Sequence, residues 1–227
     1  MAEKESKNKW HTPAERIMML GFAAVILLGT ILLCLPVSAA DGKSVYWLDA
    51  LFTATTSVCV TGLVTVPTAT TWSTFGKIVI LGLIQFGGLG IMACLTMVFL
   101  ILRRKISLQS RKLIQDTYNL PVLKGSVGIV RKLLIGTAAV ELAGAFFYSF
   151  WFVPEYGFWK GIGYSLFHSV SAFCNAGFDI LGRTGTLYPS LTAYIADPLV
   201  NIVIMLLIVI GGIGFLTWDD VCTHRLH

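Results

Sequence analysis

A stretch of fourteen residues occurs twice in this chain, and the two copies constrain the fold more than any other feature. Residues 50–63 (ALFTATTSVCVTGL) and 165–178 (SLFHSVSAFCNAGF) align without a gap at an offset of 115 positions. Both contain Leu-Phe, a run of small and hydroxylated residues, a Cys and, three positions later, a Gly before a large apolar residue. A packed core does not require that order, so we interpret the copies as one structural device used twice.

Each copy predicts a short helix that ends in a non-helical strand. Gly62 and Gly177 mark the points where the backbone takes a conformation that a side chain disfavours. At membrane depth, irregular backbone is tolerated only where protein buries it or where it lines a water-filled cavity. A pore loop meets this condition because its carbonyl groups replace the hydration shell of a cation. An interfacial loop with a helix-capping glycine is the alternative for a single copy, and the second copy argues against it.

Apolar segments flank both copies. Hydrophobic residues make up 56% of the chain and charged residues 13%, which is typical of an integral membrane protein and not of a soluble domain. A helix needs about 20 apolar residues to cross the hydrocarbon core of a bilayer. The sequence therefore predicts four spans, at residues 17–37, 75–102, 127–153 and 198–218. It also predicts two helices too short to span, 47–57 and 159–172, each leading into a strand, 58–62 and 173–177.

The arrangement of glycines and basic residues predicts the topology. Gly-Gly-x-Gly clusters at 87–90 and 211–214 occupy the second and fourth spans, where glycine allows another helix or loop to approach closely. Eight of the 17 Lys and Arg residues fall between Arg103 and Lys132, which marks that loop and the N-terminus as cytoplasmic. Both units then start and end inside. Parallel repeats of this kind favour a pore over the inverted repeats of many secondary transporters.

We predict an all-α integral membrane protein of two parallel span, pore-helix, filter-strand and span repeats. The basic linker carries no nucleic-acid motif, and its amphipathic pattern predicts a helix lying on membrane lipids or against a partner protein. The predicted division of the chain is a cytoplasmic N-terminus at 1–12, a first repeat at 13–102, the basic linker at 103–126, a second repeat at 127–218 and a tail at 219–227.

Polar side chains give little support to an enzyme. The histidines and the outer carboxylates lack the spacing of a metal or acid–base site, and the five cysteines show no CxxC pattern. Glu141, inside the third span, has two equally weighted interpretations, a functional carboxylate or a helix-to-helix hydrogen bond. His168, on the second short helix, makes either a hydrogen bond behind the filter or a proton-sensitive contact.

Three features together resemble the Trk/Ktr/HKT superfamily of potassium transporters, and most closely its KtrB-type membrane subunits. These are Thr-Gly-Leu in the first loop, Phe-Cys-Asn-Ala-Gly-Phe in the second, and the twin glycine clusters. The resemblance covers residues 13–215. It implies a potassium-channel-like fold in which four span–loop–span repeats each contribute one filter strand with one glycine, in the cell (plasma) membrane.

The resemblance also implies roles for particular residues. K⁺ would be coordinated by backbone carbonyls of two filter quarters, Cys59, Val60, Thr61 and Gly62 in the first, and Cys174, Asn175, Ala176 and Gly177 in the second. Gly62 is similar to the potassium-selecting form of the family, in which a serine is associated with sodium transport. Implied partners are a second copy in a homodimer or higher oligomer and a cytosolic nucleotide-binding regulatory subunit of the KtrA type. Uptake in the family often depends on Na⁺.

Two repeats are half of the four that the family contains, and half a filter cannot surround an ion. We therefore expect this chain to be the N-terminal half of a longer potassium-uptake subunit. Two alternatives stay open. Two-repeat chains could assemble into a cation channel, or the protein could be a secondary transporter without a continuous pore.

Overall fold

The structure, a computed structural model, describes residues 14–90, 93–94, 126–182, 190–214 and 217–218. Within these residues the regular secondary structure is helical, and the only β-pairing is an isolated bridge between Ala39 and Trp72. The all-helical class predicted from the sequence is confirmed for this part of the chain. The predicted N-terminal segment, the C-terminal tail and the basic linker up to residue 125 lie outside the described residues.

Seven α-helices are described. They are α1 (Ala14–Cys34), α2 (Trp47–Val58), α3 (Thr68–Thr71), α4 (Thr74–Leu89), α5 (Ser126–Tyr156), α6 (Phe158–Phe173) and α7 (Pro198–Gly212). Two 3₁₀ turns, Pro36–Ser38 and Thr192–Tyr194, lie in the connections between α1 and α2 and between α6 and α7. The short helices α2 and α6 run one residue past their predicted C-terminal ends, so Val58 and Phe173 are helical. The residues that follow are irregular instead of forming β-strands.

Local sequence signals explain where two of the long helices begin. The Ser73 hydroxyl caps α4 by accepting a hydrogen bond from the Gly76 amide at 3.2 Å. Asp197 caps α7, accepting from the amides of Leu199 at 3.0 Å and Val200 at 3.2 Å, and Pro198 occupies the first helical position. Both arrangements satisfy amide groups that a helix start leaves unpaired.

Four helices have the apolar character of membrane segments. Val127–Tyr156, within α5, is long and apolar enough by length and composition to cross a bilayer, and Met18–Cys34, Thr74–Leu89 and Pro198–Gly212 are shorter apolar helices. Large apolar side chains of α1 and α7 are exposed on the surface of the chain, among them Leu28, Ile31, Met205 and Val209. Such a surface is unfavourable in water and is accommodated by lipid.

Three apolar clusters hold the helices together, and the smallest of them joins the end of α4 to the start of α5. Of the larger two, the first joins α1, α2 and α4 through residues such as Leu33, Ala54 and Ile84 and includes residues of α6, and the second joins α5, α6 and α7. The first cluster also contains Phe178 and Ile180, which follow α6 along the chain. The segment after α6 therefore packs against the first group of helices, which brings the loops that follow α2 and α6 side by side.

Candidate functional site

The loop after α2 begins with a tight turn, in which backbone amides of the loop donate hydrogen bonds to carbonyls at the C-terminal end of α2. The Thr61 amide donates to the Thr56 carbonyl at 3.0 Å, and the Val60 amide donates to the Ser57 carbonyl at 3.3 Å. This crossed pair is the Schellman arrangement, in which one residue takes a left-handed conformation. Val60 is that residue, with φ +55°. Farther along, the Leu63 amide donates to the Thr56 hydroxyl at 3.0 Å.

The loop after α6 repeats every one of these bonds 115 residues later. The Ala176 amide donates to the Ser171 carbonyl at 2.7 Å, and the Asn175 amide to the Ala172 carbonyl at 3.0 Å. Asn175 takes the left-handed conformation, with φ +60°. The Phe178 amide donates to the Ser171 hydroxyl at 2.9 Å. The predicted copies of sequence therefore correspond to copies of hydrogen-bonded geometry.

The sign of φ alternates along both loops. Cys59 has φ −82° and Cys174 has φ −72°, the next residue in each loop is left-handed, and Gly62 and Gly177 follow with φ +73° and +69°. Alternating right-handed and left-handed residues turn successive N–H groups to one side of the chain and carbonyl groups to the other. Here the amides of the first three residues in each loop, 59–61 and 174–176, are bonded to the preceding helix end.

The carbonyl groups of the two loops are available as ligands. Within the described residues, no hydrogen bond is made to the carbonyl oxygens of residues 59–62 or 174–177. Polar backbone groups at membrane depth need a partner, because an unpaired one costs several kcal/mol. The arrangement can therefore offer two short rows of oxygen atoms to a cation.

The two loops meet at their glycines. A Cβ atom added to Gly62 would clash with the carbonyl oxygen of Ala176 and lie 3.3 Å from the Cα of Gly177. The Cα of Gly62 is in turn 3.8 Å from a Cβ atom added to Gly177. The structure thus brings the two groups of predicted filter residues together, backbone against backbone.

Glycines of the long helices make room for the helix ends behind the loops. A Cβ atom at Gly87 would clash with the carbonyl oxygen of Val58, the last residue of α2. A Cβ atom at Gly211 would clash in the same way with the carbonyl oxygen of Phe173, the last residue of α6. The glycine clusters predicted to allow close approach therefore do so at equivalent places.

The model of the TrkH family, described as a cation transport protein, matches residues 7–227. The chain belongs to the TrkH cation transport family.

Curated relatives of this TrkH-family chain include Ktr system potassium uptake protein B of Bacillus subtilis, 42% identical over 98% of this chain and 48% of the relative. Potassium/sodium uptake protein NtpJ of Enterococcus hirae is 40% identical over the same shares, 98% and 48%. Ktr system potassium uptake protein B of Vibrio alginolyticus is 36% identical over 97% of this chain and 46% of the relative. The chain spans about half the length of these relatives. Their names are those of potassium or potassium/sodium uptake proteins.

A polar pair of this TrkH-family chain lies behind the second loop. His168 of α6 has its Nε2 atom 2.9 Å from Oδ1 of Asp179, two residues beyond Gly177. Burial alone raises the pKa of Asp179, but the hydrogen bond and charge of His168, with the amides of Leu181 and Leu191, hold that pKa below its ordinary value. The hydrogen-bond interpretation of His168 thus has a definite partner.

Glu141 makes the helix-to-helix hydrogen bond that was one of its two interpretations. It is 7% exposed on α5, and the Gln85 side chain of α4 donates to both of its carboxylate oxygens, at 3.0 and 3.2 Å. The Ser169 hydroxyl donates to the Glu141 backbone carbonyl at 2.6 Å. The carboxylate therefore connects the two groups of helices.

Sequence reasoning missed Asp179 and Gln85 as partners. The signal for Asp179 lay in the alignment of the copies, because His168 replaces Thr53 and Asp179 replaces Val64, and two polar replacements in one copy suggest a pair. Gln85 was a polar residue in an apolar span.

Cys34, Cys59, Cys94 and Cys174 are free thiols, and the described residues contain no cluster of three or more His, Cys, Asp or Glu residues suited to a metal ion.

Proposed function

We propose that this chain supplies ion-coordinating segments of a potassium-uptake protein. In this proposal K⁺ sheds water and is bound by backbone carbonyl oxygens, those of Cys59, Val60, Thr61, Gly62, Cys174, Asn175, Ala176 and Gly177. One observation carries it. Within the described residues these carbonyls accept no hydrogen bond, while the amides of the first three residues in each loop are bonded to the helix ends. Carbonyl oxygens that replace a hydration shell are how potassium-selective filters bind their ion.

The relatives support K⁺ as the ion, and the name of the Enterococcus hirae relative includes sodium. We therefore propose K⁺ as the transported ion and Na⁺ as a coupling or activating ion. The membrane potential would drive entry, contributing about 2.3 kcal/mol per charge per 100 mV. In this scheme α2 and α6 are re-entrant pore helices, and the predicted repeats, 13–102 and 127–218, each supply a quarter of the filter.

The proposed assembly follows from the half-length match. Two quarters of a filter enclose only part of an ion, so the function requires further copies of the unit. We propose that these come from the remainder of a subunit of which this chain is half, the alternative being a second two-repeat chain. We further propose a multi-pass plasma-membrane protein with a cytoplasmic N-terminus, working as a homodimer or higher oligomer with a KtrA-type nucleotide-binding subunit.

Growth of a potassium-uptake-deficient bacterium on limiting K⁺ tests this function. The 227-residue chain is compared with the same reading frame extended through any downstream coding sequence. Growth with the extended frame only supports the half-subunit proposal, and growth with the short chain supports assembly from two-repeat chains. Growth with neither, despite protein in the membrane, would argue against potassium uptake.

The coordinating role of the loops has its own test. Gly62→Ser and Gly177→Ser are made in the form that supports growth, and uptake of K⁺ and Na⁺ is measured in each. We expect both variants to lose preference for K⁺, because each adds a side chain at a left-handed backbone position next to the proposed oxygen ligands. Gly82→Ser is the control, since nothing lies within 4 Å of a Cβ atom at Gly82. An unchanged ion preference in both loop variants would contradict the assignment.

A further inference from the structure

Both ring nitrogens of His168 face oxygen acceptors. Nδ1 is 2.8 Å from the carbonyl oxygen of Tyr164, which can only accept, so Nδ1 carries a proton. Nε2 is 2.9 Å from Oδ1 of Asp179, and the same oxygen accepts a hydrogen bond from the Leu181 amide at 2.8 Å. Because Oδ1 of Asp179 accepts from the Leu181 amide, it favours acting as an acceptor toward His168 too, which places a proton on Nε2. The ring is then an imidazolium, paired with a carboxylate.

The apolar surroundings of this ion pair impose a free-energy cost on burying it. His168 is 2% exposed, and the rings of Phe152 and Phe167 contact it edge-on, with centroids 5.5 and 5.8 Å away. Burying an ion pair sacrifices hydration that its mutual attraction only partly restores, so apolar residues of similar size often stabilise a fold equally well. The first unit has an uncharged pair of residues, Thr53 and Val64, at the equivalent positions. The pair therefore does something for the second loop that the first loop does without.

The position of the His168–Asp179 pair indicates how it affects the second loop. At its start, the second loop is anchored by the Ala176 amide on the Ser171 carbonyl, and the Phe178 amide rests on the Ser171 hydroxyl. Asp179 comes next, and its bond to His168 ties the far end of the loop to the middle of α6. The carbonyls of residues 174–177 thus belong to a segment held at both ends. In the first loop, the residue equivalent to Asp179 is Val64, whose side chain forms no hydrogen bonds.

We propose that His168 is a positioning residue for the ion site, whose charged ring holds Asp179 and so keeps the second loop from moving inward around a smaller ion. This inference rests on the proposed function, since it assumes that the loop carbonyls bind K⁺. Na⁺ is smaller than K⁺, and its coordination by the same oxygens requires them to move closer together. A loop fixed at both ends resists that movement, whereas a loop released at Asp179 permits it.

A double-mutant cycle tests the proposal, made in whichever form of the protein supports growth. His168→Thr and Asp179→Val each remove one partner, and the double variant installs the two residues of the first unit. We expect each single variant to lose roughly tenfold in K⁺ over Na⁺ preference, the size of effect of losing one charge-assisted hydrogen bond. The double variant should regain part of that loss because it leaves no unpaired charge. Asp41→Val is the control, since Asp41 is exposed and its Oδ1 accepts a hydrogen bond from the Lys43 amide, two residues along the chain.

Ion preference is measured in proteoliposomes from competing Rb⁺ and Na⁺ flux, so it does not depend on how much protein folds. Wild-type flux with unchanged preference in both single variants would overturn this inference and leave the proposed function standing. Absence of Rb⁺ or K⁺ flux in the wild type would overturn both.

A second measurement needs no variant that could fail to fold. In wild-type protein with ¹⁵N-labelled histidine, solid-state NMR distinguishes an imidazolium from a neutral ring. We expect the His168 signals to show a proton on both ring nitrogens, because each nitrogen lies within 2.9 Å of an oxygen acceptor. A neutral His168 ring would refute the charged pair, whatever the flux measurements give.

Discussion

Gly62 and Gly177 provide a matched pair of substitutions, because they share a backbone conformation but not their neighbours. Both have φ near +70°, where an alanine costs about 1–2 kcal/mol more than a glycine. At Gly177 the nearest atom to an added Cβ is the Cα of Gly62, at 3.8 Å, which is ordinary contact. Gly177→Ala should therefore lower the free energy of unfolding by the conformational cost alone.

Gly62→Ala should cost more than Gly177→Ala. The added Cβ meets the carbonyl oxygen of Ala176, and Gly177 Cα lies 3.3 Å away. Both are backbone atoms, so neither can turn aside as a flexible side chain would. Overpacking of this kind costs about 1–3 kcal/mol. Added to the conformational cost, it gives about 2–5 kcal/mol for Gly62→Ala, against about 1–2 kcal/mol for Gly177→Ala.

The assay is reversible denaturation of the 227-residue chain in detergent micelles, followed by circular dichroism, with both variants measured beside the wild type. Gly136→Ala is the control, because a Cβ atom there has nothing within 4 Å and alanine is the better helix former. We expect the control to be neutral or slightly stabilising. Equal losses for Gly62→Ala and Gly177→Ala would refute the reasoning, since the extra cost depends on the contact between the two loops.

Three further predictions use the same structural features. Val60→Asn should stabilise the chain by about 1 kcal/mol, and Asn175→Val should destabilise it by about the same amount. The reason is that asparagine tolerates the left-handed conformation and valine does not. Denaturation midpoints that move in the opposite directions would contradict this prediction. Ser171→Ala should lower the free energy of unfolding by about 1–3 kcal/mol. The Ser171 hydroxyl accepts a hydrogen bond from the Phe178 amide at 2.9 Å and donates one to the Phe178 carbonyl at 3.0 Å. In the variant, the rate of hydrogen exchange at the Phe178 amide should rise. Gly87→Ala should destabilise through its clash with the carbonyl oxygen at the end of α2, and equal denaturation midpoints for variant and wild type would exclude that contact.

The sequence predicted the two short helices well because the same local pattern occurs in both of them. Their predicted ranges, 47–57 and 159–172, differ by a single residue at most at each end from Trp47–Val58 and Phe158–Phe173. Two copies of a local pattern reveal which positions the structure requires. The repeated glycine marked the left-handed turn for the same reason, because a requirement of the backbone survives where side chains differ.

Features that depend on contacts between distant segments could not be predicted in this way. Valine is among the residues least suited to a left-handed conformation, so residue type alone argues against the φ of Val60. Two crossed hydrogen bonds to the end of α2 hold it there. The contact of Gln85 with Glu141 likewise joins helices 56 positions apart, and no periodicity within either helix reports which residue lies opposite.

Each loop takes its anchoring bonds chiefly from the helix directly before it. The acceptor carbonyls, the anchoring hydroxyl at Thr56 or Ser171 and the glycine all lie within one uninterrupted stretch of fourteen residues. A gene segment encoding that stretch therefore carries a complete structural module when it is duplicated. Such a module can be inherited and multiplied, and the residue type can differ between copies where the anchoring bond uses the backbone amide, as it does at Val60 and Asn175.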